Sequence, residues 1–188
     1  MMEILKEELN KGEKLLWYGT PESFETLDKT YKSAYIKRAI RIISIVAAFC
    51  ILYIVYALSK GIELKPVLVL VAMGFAVFGS FSYYSNARNL RKAIYAITDQ
   101  RIINIVEVPK SVEFARIKEA QIKCDEDGHY SLLCGNKVVK SKSHTWRSFA
   151  LLDPYIDEAT GICERFALYA IPDAENVKKI LSDYIPML

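Results

Sequence analysis

Ile42-Ile43-Ser44-Ile45-Val46-Ala47-Ala48-Phe49-Cys50-Ile51-Leu52-Tyr53-Ile54-Val55-Tyr56-Ala57-Leu58 and the stretch from Pro66 through Val67-Leu68-Val69-Leu70-Val71-Ala72-Met73-Gly74-Phe75 to Phe81 and Tyr84 decide how this 188-residue chain is read. Neither holds an Asp, Glu, Lys or Arg. A bilayer core about 30 Å thick is crossed by about 20 apolar residues of helix. Unpaired backbone polar groups are costly in lipid, which selects helix over strand for such runs. The two runs therefore predict a transmembrane helical hairpin over residues 39–85. Hydroxyls such as those of Ser44, Tyr53 and Tyr56 are present, but no ionisable carboxylate, amine or guanidinium lies within either run. Pores and pumps usually carry ionisable groups there, so the hairpin reads as an anchor. Small residues, Ala47 and Ala48 in one run and Gly74, Ala76 and Gly79 in the other, let the helices approach closely.

Charge supports a membrane setting. Lys32, Lys37, Arg38 and Arg41 precede the first run, and Arg88, Arg91 and Lys92 follow the second. That bias predicts a multi-pass protein of the cell membrane with both termini cytoplasmic. The first 35 residues show no signal-peptide pattern, so the first run is expected to be retained. Trp17, Tyr31, Tyr35, Tyr83 and Tyr84 are candidate interface residues, because amphipathic rings favour the headgroup zone. Residues 1–92 carry 13 Lys and Arg against 8 Asp and Glu, whereas residues 93–188 carry 12 against 14. A C-terminal half with that balance is a poor partner for nucleic acid, whose affinity rests on many phosphate contacts.

Outward from the hairpin, residues 1–38 form an N-terminal arm. It holds an amphipathic start (Ile4, Leu5, Leu9), a short strand at Leu15–Gly19, and a helix expected from Thr20-Pro21 that carries Phe24, Leu27, Tyr31 and Tyr35 on one face. Residues 93–188 alternate short apolar runs with turns. Strands are expected at 93–98, 101–108, 112–123 (in two parts), 130–134 and 164–171, with Trp146–Leu152 returning to the sheet. Ala174, Val177, Ile180, Leu181 and Tyr184 then mark one face of a closing helix.

Gly12-Glu13-Lys14-Leu15-Leu16-Trp17-Tyr18-Gly19-Thr20-Pro21, the strand-turn-strand Tyr95-Ala96-Ile97-Thr98-Asp99-Gln100-Arg101-Ile102-Ile103, and the tail Ile171-Pro172-Asp173-Ala174-Glu175-Asn176-Val177 resemble the bacterial pleckstrin-homology-like family of membrane-anchored proteins. The resemblance implies a mainly antiparallel β domain, a bent sheet or partly open barrel capped by a C-terminal helix. It implies no catalytic residue. The two-residue turn at Asp99-Gln100 is too short to form the long basic loop of lipid-binding relatives.

No metal motif, phosphate-cradling glycine loop or nucleophile elbow occurs. The four cysteines include no C-x-x-C pair, and His129 and His144 are not spaced for zinc from them. No enzyme activity, cofactor or metal is expected. Arg101 reads as structural, bracing its turn through Asp99 or facing water. The best local patch is Lys137, Lys140, Lys142 and Arg147, a candidate contact for anionic lipid headgroups or an acidic partner. The sequence thus predicts a membrane-tethered, non-enzymatic interaction or scaffolding protein. Its partners would be the bilayer and an unidentified protein, with homo-oligomerisation left open. An accessory subunit of a membrane transport or envelope-stress complex is the first alternative, and a membrane-bound hydrolase the second.

Overall fold

The computed structural model describes residues 2–63 and 65–187, and the side chains of all of these except 2–4 and 76–84. Strand β2 (Ile94–Thr98) is buried along its whole length. Side chains alternate across a strand, so its two faces serve two layers. Tyr95 and Ile97 enter the principal core, while Ile94 and Ala96 face a smaller cluster with Ile103, Ile105 and Leu5. Leu5 belongs to helix α1 (Met2–Glu8) and packs on the outer face of the sheet. Around β2 lie β1 (Leu15–Gly19), β3 (Arg101–Ile105) and β4 (Pro109–Glu113) in the order β1-β2-β3-β4, all antiparallel.

A 3₁₀ turn at Phe114–Arg116 ends this sheet. The chain then builds a second one from β5 (Ala120–Cys124), β6 (Tyr130–Cys134), β7 (Tyr155–Ile156) and β8 (Cys163–Leu168), in the order β5-β6-β8-β7. Neither sheet closes on itself, and among the described residues no ladder joins them. The expected single bent sheet or partly open barrel is therefore corrected to a mixed α/β fold with two four-stranded antiparallel sheets. The strands are six residues or shorter, and the turn between β4 and β5 takes the chain out of the first ladder before the second begins. Residues of both sheets share the principal core, and Val177 and Leu181 of α6 (Ala174–Ser182) are buried in it.

Between β1 and β2 the chain runs through α2 (Lys29–Lys60) and α3 (Pro66–Leu90), which pack side by side. Gly61 ends α2 in the left-handed region at φ 64°, its N–H bonded to the carbonyls of Ala57 and Leu58, as expected for a helix C-terminus. Near that end the Lys65 amide donates to the Tyr53 hydroxyl at 3.0 Å. Ala87 and Leu90, at the other end of α3, are buried in the principal core.

Among the described residues, one helix, α2, is long and apolar enough to cross a membrane, and almost none of its apolar window is buried. The apolar part of α3 that is described, Pro66–Phe75, is about 15 Å long at 1.5 Å per residue, half of a bilayer core. The two-span hairpin over 39–85 is thus replaced by a single candidate span. The multi-pass topology with both termini cytoplasmic, which depended on two spans, falls with it.

Two local expectations also change. Residues 20–28 are not helical, and α2 starts only at Lys29. Residues 136–151, expected as a loop returning to the sheet, instead hold α4 (Asn136–Val139), a 3₁₀ turn at Ser143–Thr145 and α5 (Trp146–Leu151). Trp146 and Ala150, four apart and both buried, show the helical period of α5.

Candidate functional site

The base of α2 is where the long helix meets the folded domain. A helix leaves its first amides without partners, and a short polar side chain just before it usually caps them. Here two aspartates do so. Asp28, the N-cap residue, accepts from the Tyr31 amide at 3.2 Å. Asp127, from the turn between β5 and β6, accepts from the amides of Lys29 (3.1 Å) and Thr30 (2.8 Å) and from the Thr30 hydroxyl (2.6 Å). The turn is shaped by Asp125, whose Oδ1 accepts from the amides of Asp127 and His129, and by Gly128 at φ 89°. Burial alone would raise the Asp127 carboxyl, but the bonds from Thr30 and Lys29 outweigh it and hold the group below its ordinary value.

Arg147 on α5 joins these caps to the core. It is 4% exposed. Its guanidinium is ion-paired with Asp28 and donates to the Tyr169 hydroxyl at 3.1 Å and the Thr26 carbonyl at 3.1 Å. Three rings surround it, with centroids at 3.7 Å (Tyr31), 4.4 Å (Phe24) and 4.9 Å (Tyr169). Cation–π attraction gains strength in such desolvated settings. The Tyr169 hydroxyl donates onward to Asp125 at 2.8 Å, and burial raises its ionisation far above the usual tyrosine value. Burial also raises the Asp28 carboxyl, an effect Arg147 offsets only in part. Arg91, at the end of α3, grips the same segment from the other side. It donates to the Phe24 carbonyl at 2.8 and 3.1 Å and to the Thr26 hydroxyl at 2.9 Å. Residues 20–28 are therefore held out of a helix because two arginines and the carbonyl of Ala170, which accepts from the Glu22 amide at 2.7 Å, take up polar groups of the segment.

A second connection fastens the strand of the arm. The Glu13 carboxylate accepts from Arg101 (2.9 and 3.0 Å) and from the Thr98 hydroxyl (2.7 Å). Arg101 also donates to the Glu8 carbonyl at 2.6 Å. Its carboxylate partner is Glu13, while Asp99 accepts from the Lys14 amide at 3.0 Å. Burial works to raise the Glu13 carboxyl, but Arg101, the Asn10 amide and Thr98 together hold it below its ordinary value.

Beside the base of α2 lies a groove of about 520 Å³. One wall is the exposed side of α2, and the other is formed by Glu126 and the Lys142–His144 turn. The turn is fixed to the helix by the Tyr31 hydroxyl, which donates to the Ser143 carbonyl at 3.0 Å.

The four cations expected to form one patch are dispersed. Lys142 lines this groove. Arg147 is buried in the ion pair, so it is not a surface contact. Lys137 sits over the Tyr155 ring at 4.2 Å, and Lys140 lines a separate hollow near Gly135 and Cys163. Trp17, expected at the membrane interface, is 9% exposed and packs in the principal core. Tyr31 is buried against Arg147, and Tyr35 is half-buried on α2. Tyr83 and Tyr84 lie outside the described side chains. Sequence reasoning missed Asp28, Asp127 and Phe24 as parts of one site. Asp28 and Arg147 are 119 residues apart, and no local pattern links them.

No family model, curated protein or solved structure matches the chain. Among the described residues, no group of His, Cys, Asp and Glu is placed to hold a metal ion. The arrangement at the base of α2 is one of rigid attachment: every strong contact there fixes the direction in which the helix leaves the domain.

Proposed function

We propose that this chain is a membrane-tethered interaction protein in which α2 enters the bilayer and the two-sheet domain serves partners at the membrane surface. One observation carries the reading. The apolar stretch of α2 is almost wholly exposed, with Phe49, Leu52 and Leu58 each more than half exposed, while its first turn is locked to the domain by two aspartate caps and a buried ion pair. An apolar surface of that extent on a rigidly attached helix calls for lipid or protein cover. The resemblance to the pleckstrin-homology-like family belongs to this proposal, as does the interaction role. Two short-stranded sheets with open edges offer places where a partner peptide could add a strand.

The test is extraction of the full chain from cell membranes. Retention in the pellet through alkaline carbonate, with release only by detergent, is the expected result. Partition into the aqueous phase without detergent would overturn the tether. Copurification in mild detergent then addresses the interaction role, and recovery of the chain alone, as one small species, would count against it.

A further inference from the structure

We propose that the groove beside the base of α2 binds the headgroup of an anionic phospholipid from the bilayer that α2 enters. The inference deepens the tether reading and rests on it.

The groove is strongly cationic. Lys29, Lys37, Arg38, Arg41 and Lys142 line it against one carboxylate, Glu126. Lys29, Ser33, Lys37 and Arg41 follow one another at four-residue steps, and Thr30, Ala34 and Arg38 do the same beside them. Residues four apart lie on one face of a helix, so these residues form one wall about 18 Å long at 1.5 Å per residue, with Lys37, Arg38 and Arg41 clustered at its far end. Lys142 and His144 come from the opposite wall, through a turn that Tyr31 holds in place. Like charges converge here because the fold brings them together: Lys142 lies more than a hundred residues beyond Arg41 in sequence.

Position identifies the ligand. Arg41 is the last charged residue before the apolar run that begins at Ile42. The Arg41 end of the groove therefore meets the plane where lipid phosphates lie once the apolar run is embedded. Lysine and arginine near an anionic leaflet are attracted to it, and Arg presents paired donors that suit phosphate oxygens. A cavity of about 520 Å³ accommodates a phosphodiester headgroup.

The experiment uses the full chain in mild neutral detergent, titrated in mixed micelles with fluorescent phosphatidylglycerol or with phosphatidylcholine carrying the same label. The unmodified chain is expected to prefer phosphatidylglycerol. At roughly 1 kcal/mol per cation removed, K37E/R41E should weaken that binding about thirtyfold and K142E about fivefold, while K137E, whose residue sits over Tyr155 away from the groove, should not. All variants should keep the unfolding temperature of the parent, which separates lost binding from lost fold. Equal affinity for the two lipids, or an unchanged affinity in both groove variants, would overturn the groove as a headgroup site even with the chain fixed in the membrane. Displacement of the lipid by millimolar inorganic phosphate would overturn the lipid assignment in favour of a free anion. A chain that carbonate strips from membranes would instead overturn the tether itself.

Discussion

Arg147 carries more of the structure at the base of α2 than any other side chain. Its charge is buried, and the cost of burying a charge is recovered only while its partner and hydrogen bonds are complete. Arg147→Met leaves Asp28 buried without its counter-ion, and a loss of about 3–5 kcal/mol is expected. Adding Asp28→Asn removes the orphaned carboxylate, so R147M/D28N should recover part of that loss. Thermal unfolding of the four proteins in mild detergent measures the coupling, and strictly additive losses would show that the pair does not act as a unit. Glu13 gives a pH prediction. Its folded value lies below its unfolded value of about 4.3, so its stabilisation is complete above that pH and is lost as pH falls through the folded value. Asp127 has the same sign, whereas Asp28, held above its ordinary value, opposes the trend. Stability should therefore drop between about pH 5 and 3, and Glu13→Gln should lower stability at neutral pH while flattening that drop. An equally steep acid limb in the variant would contradict the assignment. At this scale the sequence said little. Arg101 was legible as structural, but its true partner Glu13 is 88 residues away, and nothing local distinguishes buried Arg147 from the exposed cations near it.

Elements were more legible than their joints. The strands around Tyr95, Arg101 and Tyr130 follow from short apolar runs bounded by turns, and the closing helix α6 follows from its helical spacing. The region from 136 to 151 misled because its apolar residues are few and basic ones frequent, while the helical signal is only one turn long: Trp146 and Ala150 fill the core at i and i+4. The start of α2 misled because Thr20-Pro21 has the right chemistry for a helix start, yet the caps that operate are Asp28 and the distant Asp127. Two glycines test how the elements are joined. Gly135 precedes α4 at φ 95°, and a Cβ there would lie 2.5 Å from the Cys163 carbonyl oxygen and from the Glu164 backbone. Gly61 has φ 64° with nothing within 4 Å of the added atom. Gly61→Ala should cost about 1 kcal/mol for the left-handed backbone alone. Gly135→Ala adds a clash with backbone that cannot move without shifting β8, so a loss on the order of 3 kcal/mol is expected. Chemical unfolding that ranks the two alike would show that β8 yields easily at this point.

For the whole molecule, the sequence placed apolar helices in the middle of the chain, and the structure assigns them unequal roles. Composition alone made the two runs look equivalent. What separates them is attachment: α2 continues unbroken from its anchored first turn through the apolar run, whereas α3 descends into the core at Ala87 and Leu90. That inequality makes a prediction about where charge can be tolerated. Ile51 is exposed at the middle of the apolar run of α2. A lysine at such a depth costs about 2.5–3.5 kcal/mol in a helix that inserts, enough to shift an insertion equilibrium about a hundredfold. Val71 is exposed on α3, nearer the helix start. Ile51→Lys should therefore release the chain from carbonate-washed membranes or leave it aggregated. Val71→Lys should leave most of it embedded, since it leaves the apolar run of α2 unchanged. Both measurements use the full chain and the same fractionation, so differences in expression cancel when pellet and supernatant are compared within each variant. Equal loss of membrane retention in the two variants would mean that α3 carries as much of the insertion energy as α2, and the assignment of one span to α2 would not stand.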